Sequence, residues 1–119
     1  MSNLDQQIDN IVDNTADEPA NGSTFDKIRS WATDRNLIEG ATPAAQFEKL
    51  GEEFGELGRA LIEDNWHNIR DAIGDMIVVL TIMGAQLNAP VEQCIDEAYE
   101  EIKDRKGQMV DGIFVKEAV

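Results

Sequence analysis

Three carboxylates crowd into five residues of the chain, Glu52, Glu53 and Glu56, and two more, Asp71 and Asp75, stand four apart further on. On a helix, residues three or four apart are neighbours, and like charges at those spacings repel. Such a run is either a solvated acidic face or a set of oxygen ligands whose repulsion a cation relieves. The second pair adds weight to the cation. Asp75 directly precedes Met76-Ile77-Val78-Val79-Leu80, and a carboxylate taken into apolar surroundings without a partner is costly enough to be neutralised or paired. If two antiparallel helices meet at Asp64-Asn65, Glu53 and Glu56 come level with Asp75 and Asp71. Oxygen ligands without His or Cys select a hard ion, magnesium first and manganese second. His67 is two turns from Asp75 and is not counted among the expected site residues. Cys94 reads as a core thiol rather than a nucleophile.

Lys103, Arg105 and Lys106 form a cationic cluster near the end of the last helical segment. Cations there suit the negative end of the helix dipole, which is one reading. The other is a phosphate clamp beside the metal, with Lys49, one turn before Glu52 and Glu53, as a further donor. Carboxylate-held magnesium usually meets its ligand through phosphates rather than in an all-protein cage, so the acids and the basic rim together point to polyphosphate chemistry.

Four helical segments must position these groups. The first is expected after Ser23 or Thr24 and runs to about Asn36, with Phe25, Ile28 and Ala32 on one face. The second opens at Thr42-Pro43 and continues to about Glu63, with Phe47, Leu50, Phe54, Leu57 and Leu61 as the apolar stripe of an antiparallel bundle helix. The third, Trp66 to Leu87, is apolar nearly all round. Three short companions cannot cover such a helix, so part of it is expected against another subunit. Pro90 opens the fourth, whose Val91, Cys94, Ile95, Ala98 and Ile102 line one face, and a tail with the turn signal Asp111-Gly112 finishes the chain.

The expected organisation is therefore all-α and bundle-like, with one helical domain over 23–119. Residues 1–22 hold five acids and no Lys or Arg, and are expected to be a mobile arm. With 24 Asp+Glu against 10 Lys+Arg, the net charge of −14 argues against nonspecific binding to nucleic acid polymers or anionic membranes. No apolar run approaches the roughly 20 residues of a membrane-spanning helix. A single cysteine and the absence of a positively charged, then apolar, opening make a reducing cytoplasm the expected compartment.

These residues resemble the all-α nucleotide pyrophosphohydrolase superfamily, whose signature is Glu-Glu-x-x-Glu on one helix and Glu-x-x-Asp on the next. Glu52, Glu53 and Glu56 supply the first half. The second departs: three residues before Asp75 stands Ala72, and Asp71 is one position earlier. The segment from Phe25 to Glu117, with Trp31-Ala32-x-x-Arg35-Asn36, Asp71-Ala72-Ile73-Gly74-Asp75 and Glu101-Ile102-Lys103-Asp104-Arg105-Lys106-Gly107, looks most like the short MazG-like members. The resemblance implies hydrolysis of a (d)NTP between its α and β phosphates to a monophosphate and pyrophosphate. Under it, Glu53, Glu56 and Asp75 hold metal, with Asp71 either a replacement ligand or an outer acid. Glu52, or a carboxylate not fully engaged by metal, takes the proton of the attacking water, and Lys49, Lys103 and Arg105, with Lys106 beside them, hold the departing pyrophosphate. Base recognition in that superfamily uses residues near the first helix and often a neighbouring subunit. Trp31 and Gln46 are the candidates, although Trp31 also fits a core aromatic. A homotetramer of paired dimers, or a homodimer, is implied. Two rivals stand beside this reading: a phosphoribosyl-ATP pyrophosphohydrolase with the same metal motif, and a noncatalytic acidic helical interaction module.

Overall fold

A computed structural model describes residues 22–118 of the chain; the acidic arm expected over 1–22 lies outside them except for Gly22. Four helices make the domain: α1 (Thr24–Asp34), α2 (Pro43–Glu63), α3 (Trp66–Gln86) and α4 (Val91–Ile102). Local capping chemistry sets most of their starts. Ser23 Oγ accepts from the Asp26 amide while the Asp26 carboxylate accepts from the Ser23 amide, a reciprocal box that satisfies donors a helix start leaves free. Thr42 Oγ1 accepts from the Ala45 amide ahead of Pro43, and Asn65 Oδ1 from the Asn68 amide. Asp64 ends α2 in the left-handed region at φ 55°. One further residue, Asn65, then separates α2 from α3, and such a short turn makes the two helices an antiparallel pair packed along their length.

The core is thin. Its buried apolar members are Ala32, Ala60, Ile69, Ala72, Val79 and Ile82, with Thr81 and Glu53 buried among them. Half of those apolar residues are alanines, whose small side chains let α1, α2 and α3 approach closely. The stripe expected to bury α2 is corrected: Phe47 and Phe54 are each 68% exposed and Leu61 59%, while Leu50 and Leu57 are half-buried. The reason is angular. Glu53 and Ala60 sit at the centre of the face that meets α3, and Phe54 lies about 100° round the helix from Glu53. On α3, Ile73, Ile77 and Leu80 are likewise exposed in a single chain.

Between α3 and α4 the chain bends by 104°. Gly84 permits the turn: a Cβ there would stand 2.5 Å from the Ala89 carbonyl oxygen, and the Ala89 amide donates to the Gly84 carbonyl at 2.8 Å. No residue of α4 is buried, so the expectation that its apolar face and Cys94 enter the core is corrected. Cys94 is exposed. The expected all-α class also gains a β-hairpin, strands β1 (Gly107–Val110) and β2 (Ile113–Lys116), paired antiparallel with Val110 opposite Ile113. Asp111 and Gly112 join them with φ 51° and 80°, both in the left-handed region that a two-residue hairpin turn demands. No single helix among the described residues is long and apolar enough to cross a membrane.

Candidate functional site

Glu53 lies within electrostatic reach of Glu56 on its own helix and of Asp75 on the next. Glu53 is 4% exposed, and among the described residues its Oε1 has no hydrogen-bond partner. Its Oε2 lies 3.5 Å from Lys49 Nζ, which also stands 3.6 Å from Glu52 Oε1. Burial pushes the Glu53 carboxyl above its ordinary range, the charges of Glu56 and Asp75 push it further, and Lys49 opposes them. Lys49 is raised in turn, chiefly by its contact with Glu53. Glu53, Glu56 and Asp75 are therefore electrostatic neighbours across the two helices, as the hairpin arithmetic requires.

Two hollows flank this cluster. One, of about 250 Å³, is lined by Glu56, Arg59, Ala60, Glu63, Asn68, Asp71 and Ala72. The other, of about 360 Å³, joins Lys27, Ile28 and Trp31 of α1 to Asp75 and Val78 of α3. Asp71 thus faces Glu56 nearer the α2–α3 turn, whereas Asp75 faces α1. Among the described residues no three His, Cys, Asp or Glu side chains converge into a ready metal cage. The donor set still suits a hard cation that keeps several waters and takes few protein ligands. The buried Glu53 oxygen without a partner is the atom such an ion would satisfy.

Trp31 is 46% exposed beside Asp75, so it is not a core aromatic; the Arg35 guanidinium stacks over its ring, 4.5 Å from the centroid. Gln46 is half-buried two turns before Glu53 on the same side of α2. His67 is exposed in the first turn of α3. The basic cluster lies elsewhere. Lys103 pairs with Glu100 at 2.7 Å, and Arg105 and Lys106 line a hollow with Phe114 and Lys116 of the hairpin. Of the expected clamp, Lys49 stands beside the acids, whereas Arg105 and Lys106 line hollows with the hairpin.

Four participants escaped the sequence reading. Arg59 and Glu63 follow Glu56 at three and seven residues on one flank, a spacing the sequence does display. Lys27 is four before Trp31. Arg29, which pairs with Glu92 from α1 to α4, carries no local signal because its partner is 63 residues away.

No family model matches the chain, and no solved structure matches it. Over 59 residues, half of this chain, it is 49% identical to an uncharacterized 18.2 kDa protein of the rep–hol intergenic region of Haemophilus phage HP1 (strain HP1c1). That match spans 36% of the relative's own length.

Proposed function

We propose that the chain is a metal-dependent nucleoside triphosphate pyrophosphohydrolase that splits the anhydride between the α and β phosphates. The observation that carries this reading is the buried Glu53, with an oxygen lacking a partner, next to Glu56 and Asp75 and one hollow away from an exposed Trp31. A solubilising acidic module has no use for a buried carboxylate, since charge at the surface serves that purpose without the desolvation cost. Magnesium, or manganese in its place, would be held by Glu53, Glu56 and Asp75, with Asp71 within the reach of Glu56. When bound it supplies charge neutralisation at the phosphates and a lowered pKa for the attacking water.

The chain's own groups do the rest. Glu52, exposed and beside Lys49, accepts the proton as the water oxygen bonds to the α phosphorus. The bond from that phosphorus to the bridging oxygen breaks, and pyrophosphate leaves with its electron pair. Lys49 favours the ionised form of Glu53, the form that binds a cation. Trp31 offers a stacking face for the base on the Asp75 side, and Arg35 holds the ring in place. Pyrophosphate release from a panel of canonical and modified nucleotides with magnesium tests the reading. Full release after exhaustive chelation overturns the metal dependence, and no release from any member overturns the activity.

A further inference from the structure

The outward side of α4 is an amphipathic face without a partner among the described residues. Cys94, Ile95, Ala98, Tyr99 and Ile102 are all exposed, and no residue of the helix is buried. At about 100° per residue these five fall within an arc of roughly 140°, and the carboxylates of Glu92, Asp96, Glu97, Glu100 and Glu101 lie outside it.

The chain's own acidic arm carries a matching pattern. Leu4, Ile8, Ile11 and Val12 stand at the spacing of one helix face and would share an arc of about 100°, with Asp5, Asp9 and Asp13 following on the adjoining side. Residues 3–14 equal α4 in length, and α4 has 12 residues, about 18 Å of helix. With the two apolar arcs turned together, the acids of both helices stay outside the seam. The arm holds no Lys or Arg, so an apolar contact is the one it can make with α4.

The arm enters the domain beside that face. The Ser23 amide donates to Asp26, Asp26 accepts from the Arg29 guanidinium at 2.7 Å, and the same guanidinium donates to Glu92 at 2.5 Å. These consecutive contacts put the start of α1 next to the first turn of α4. Residues 15–22, with Pro19, Asn21 and Gly22 as helix breakers, form a tether long enough to reverse the chain direction. Such a tether holds the preceding segment at an effective concentration on the order of millimolar, so at micromolar protein it outcompetes a separate copy for the same face.

We propose that residues 3–14 dock on α4 of their own chain as a helix antiparallel to it. Val12 then comes level with Cys94 and Ile95, Ile8 with Ala98 and Tyr99, and Leu4 with Ile102. A segment this short does not hold a helix alone in water, so helix and contact form together. The contact is independent of any hydrolase activity.

Cys94 is the chain's single cysteine and reports on the contact directly. In the full-length Val12→Cys protein at micromolar concentration, diamide, which takes up the hydrogens of two thiols, is expected to join positions 12 and 94 within one chain. The rate is expected to exceed that of Leu4→Cys, placed at the far end of α4, by at least about tenfold. Equal rates for the two variants, or disulfides formed only between chains, overturn the proposal. The second measurement uses the native thiol. Iodoacetamide, which carries no charge, is expected to modify Cys94 severalfold faster in the full-length Ile8→Asp/Ile11→Asp protein than in the wild type, because the arm no longer covers it. An unchanged rate overturns the docking.

Discussion

The guanidinium of Arg29 grips both carboxylate oxygens of Glu92, Nη1 to Oε1 at 2.8 Å and Nη2 to Oε2 at 2.5 Å, and the same Nη2 reaches Asp26 at 2.7 Å. This fork joins α1 to the first turn of a helix that buries nothing of its own. Removing it therefore frees the direction of α4 before it costs core stability. Arg29→Ala is expected to lower the melting temperature at pH 7 by a few degrees and to broaden the distances of a spin-label pair placed on α1 and α4. Glu92 and Asp26 are both held below their ordinary pKa values by Arg29. Their contribution is complete above the unfolded values, 4.5 and 3.8, and is lost as pH falls through the lower folded ones. The gap between wild type and variant should close with it. A gap that persists at pH 2 would assign the loss to packing.

Glu53 runs the other way. Its folded pKa is raised by burial, so its stabilising protonated form is fully present below the unfolded value of 4.5 and is lost as pH rises through the folded value. Metal-free Glu53→Gln should melt higher than wild type at pH 7 to 8, with the difference vanishing near pH 4. Magnesium should raise the melting temperature of the wild type and not of the variant. Activity should fall at least about a hundredfold, equivalent to ~2.7 kcal/mol of transition-state stabilisation.

Asp71 shares its hollow with Glu56 rather than with Asp75. Asp71→Asn should raise the magnesium concentration for half-maximal activity severalfold, since a charged oxygen leaves the approach to a hard cation. An unchanged magnesium curve would place Asp71 outside the ion's reach.

Trp31→Ala should raise KM for nucleoside triphosphates about tenfold with a smaller change in kcat, as expected when base stacking of 1–3 kcal/mol is removed from ground and transition states alike. Hydrolysis of inorganic triphosphate, if measurable, should be unaffected.

Phe54→Glu places a charge in the middle of the exposed α2 stripe. If a second copy covers that stripe, light scattering at micromolar concentration should show monomer for the variant and a larger species for the wild type. A wild-type monomer would remove the basis for covering it.

The helix boundaries were legible because their determinants are local: Ser23, Thr42-Pro43 and Asn65 each bind backbone within one turn. The hairpin was half legible, its Asp111-Gly112 turn evident and its short flanking strands read as tail. Apolar spacing on α2 marked Phe47, Phe54 and Leu61 as a face without saying what faces it, because periodicity cannot distinguish a surface buried within the chain from one left for another. The acids were placed by spacing and turn length alone. The cations were not, since their position depends on the exit angle of α4, which Gly84 and the distant Arg29–Glu92 pair determine.

The alanines at positions 32, 60 and 72 have a consequence for how the protein must exist. At about 25 cal/mol per Å² of buried apolar surface, residues this small return little against the entropy of ordering three helices. A solitary chain has a shallow free-energy well, and most of the apolar surface able to deepen it lies outward. If copies associate through that surface, folding and association become one equilibrium, and the melting temperature falls as the protein is diluted.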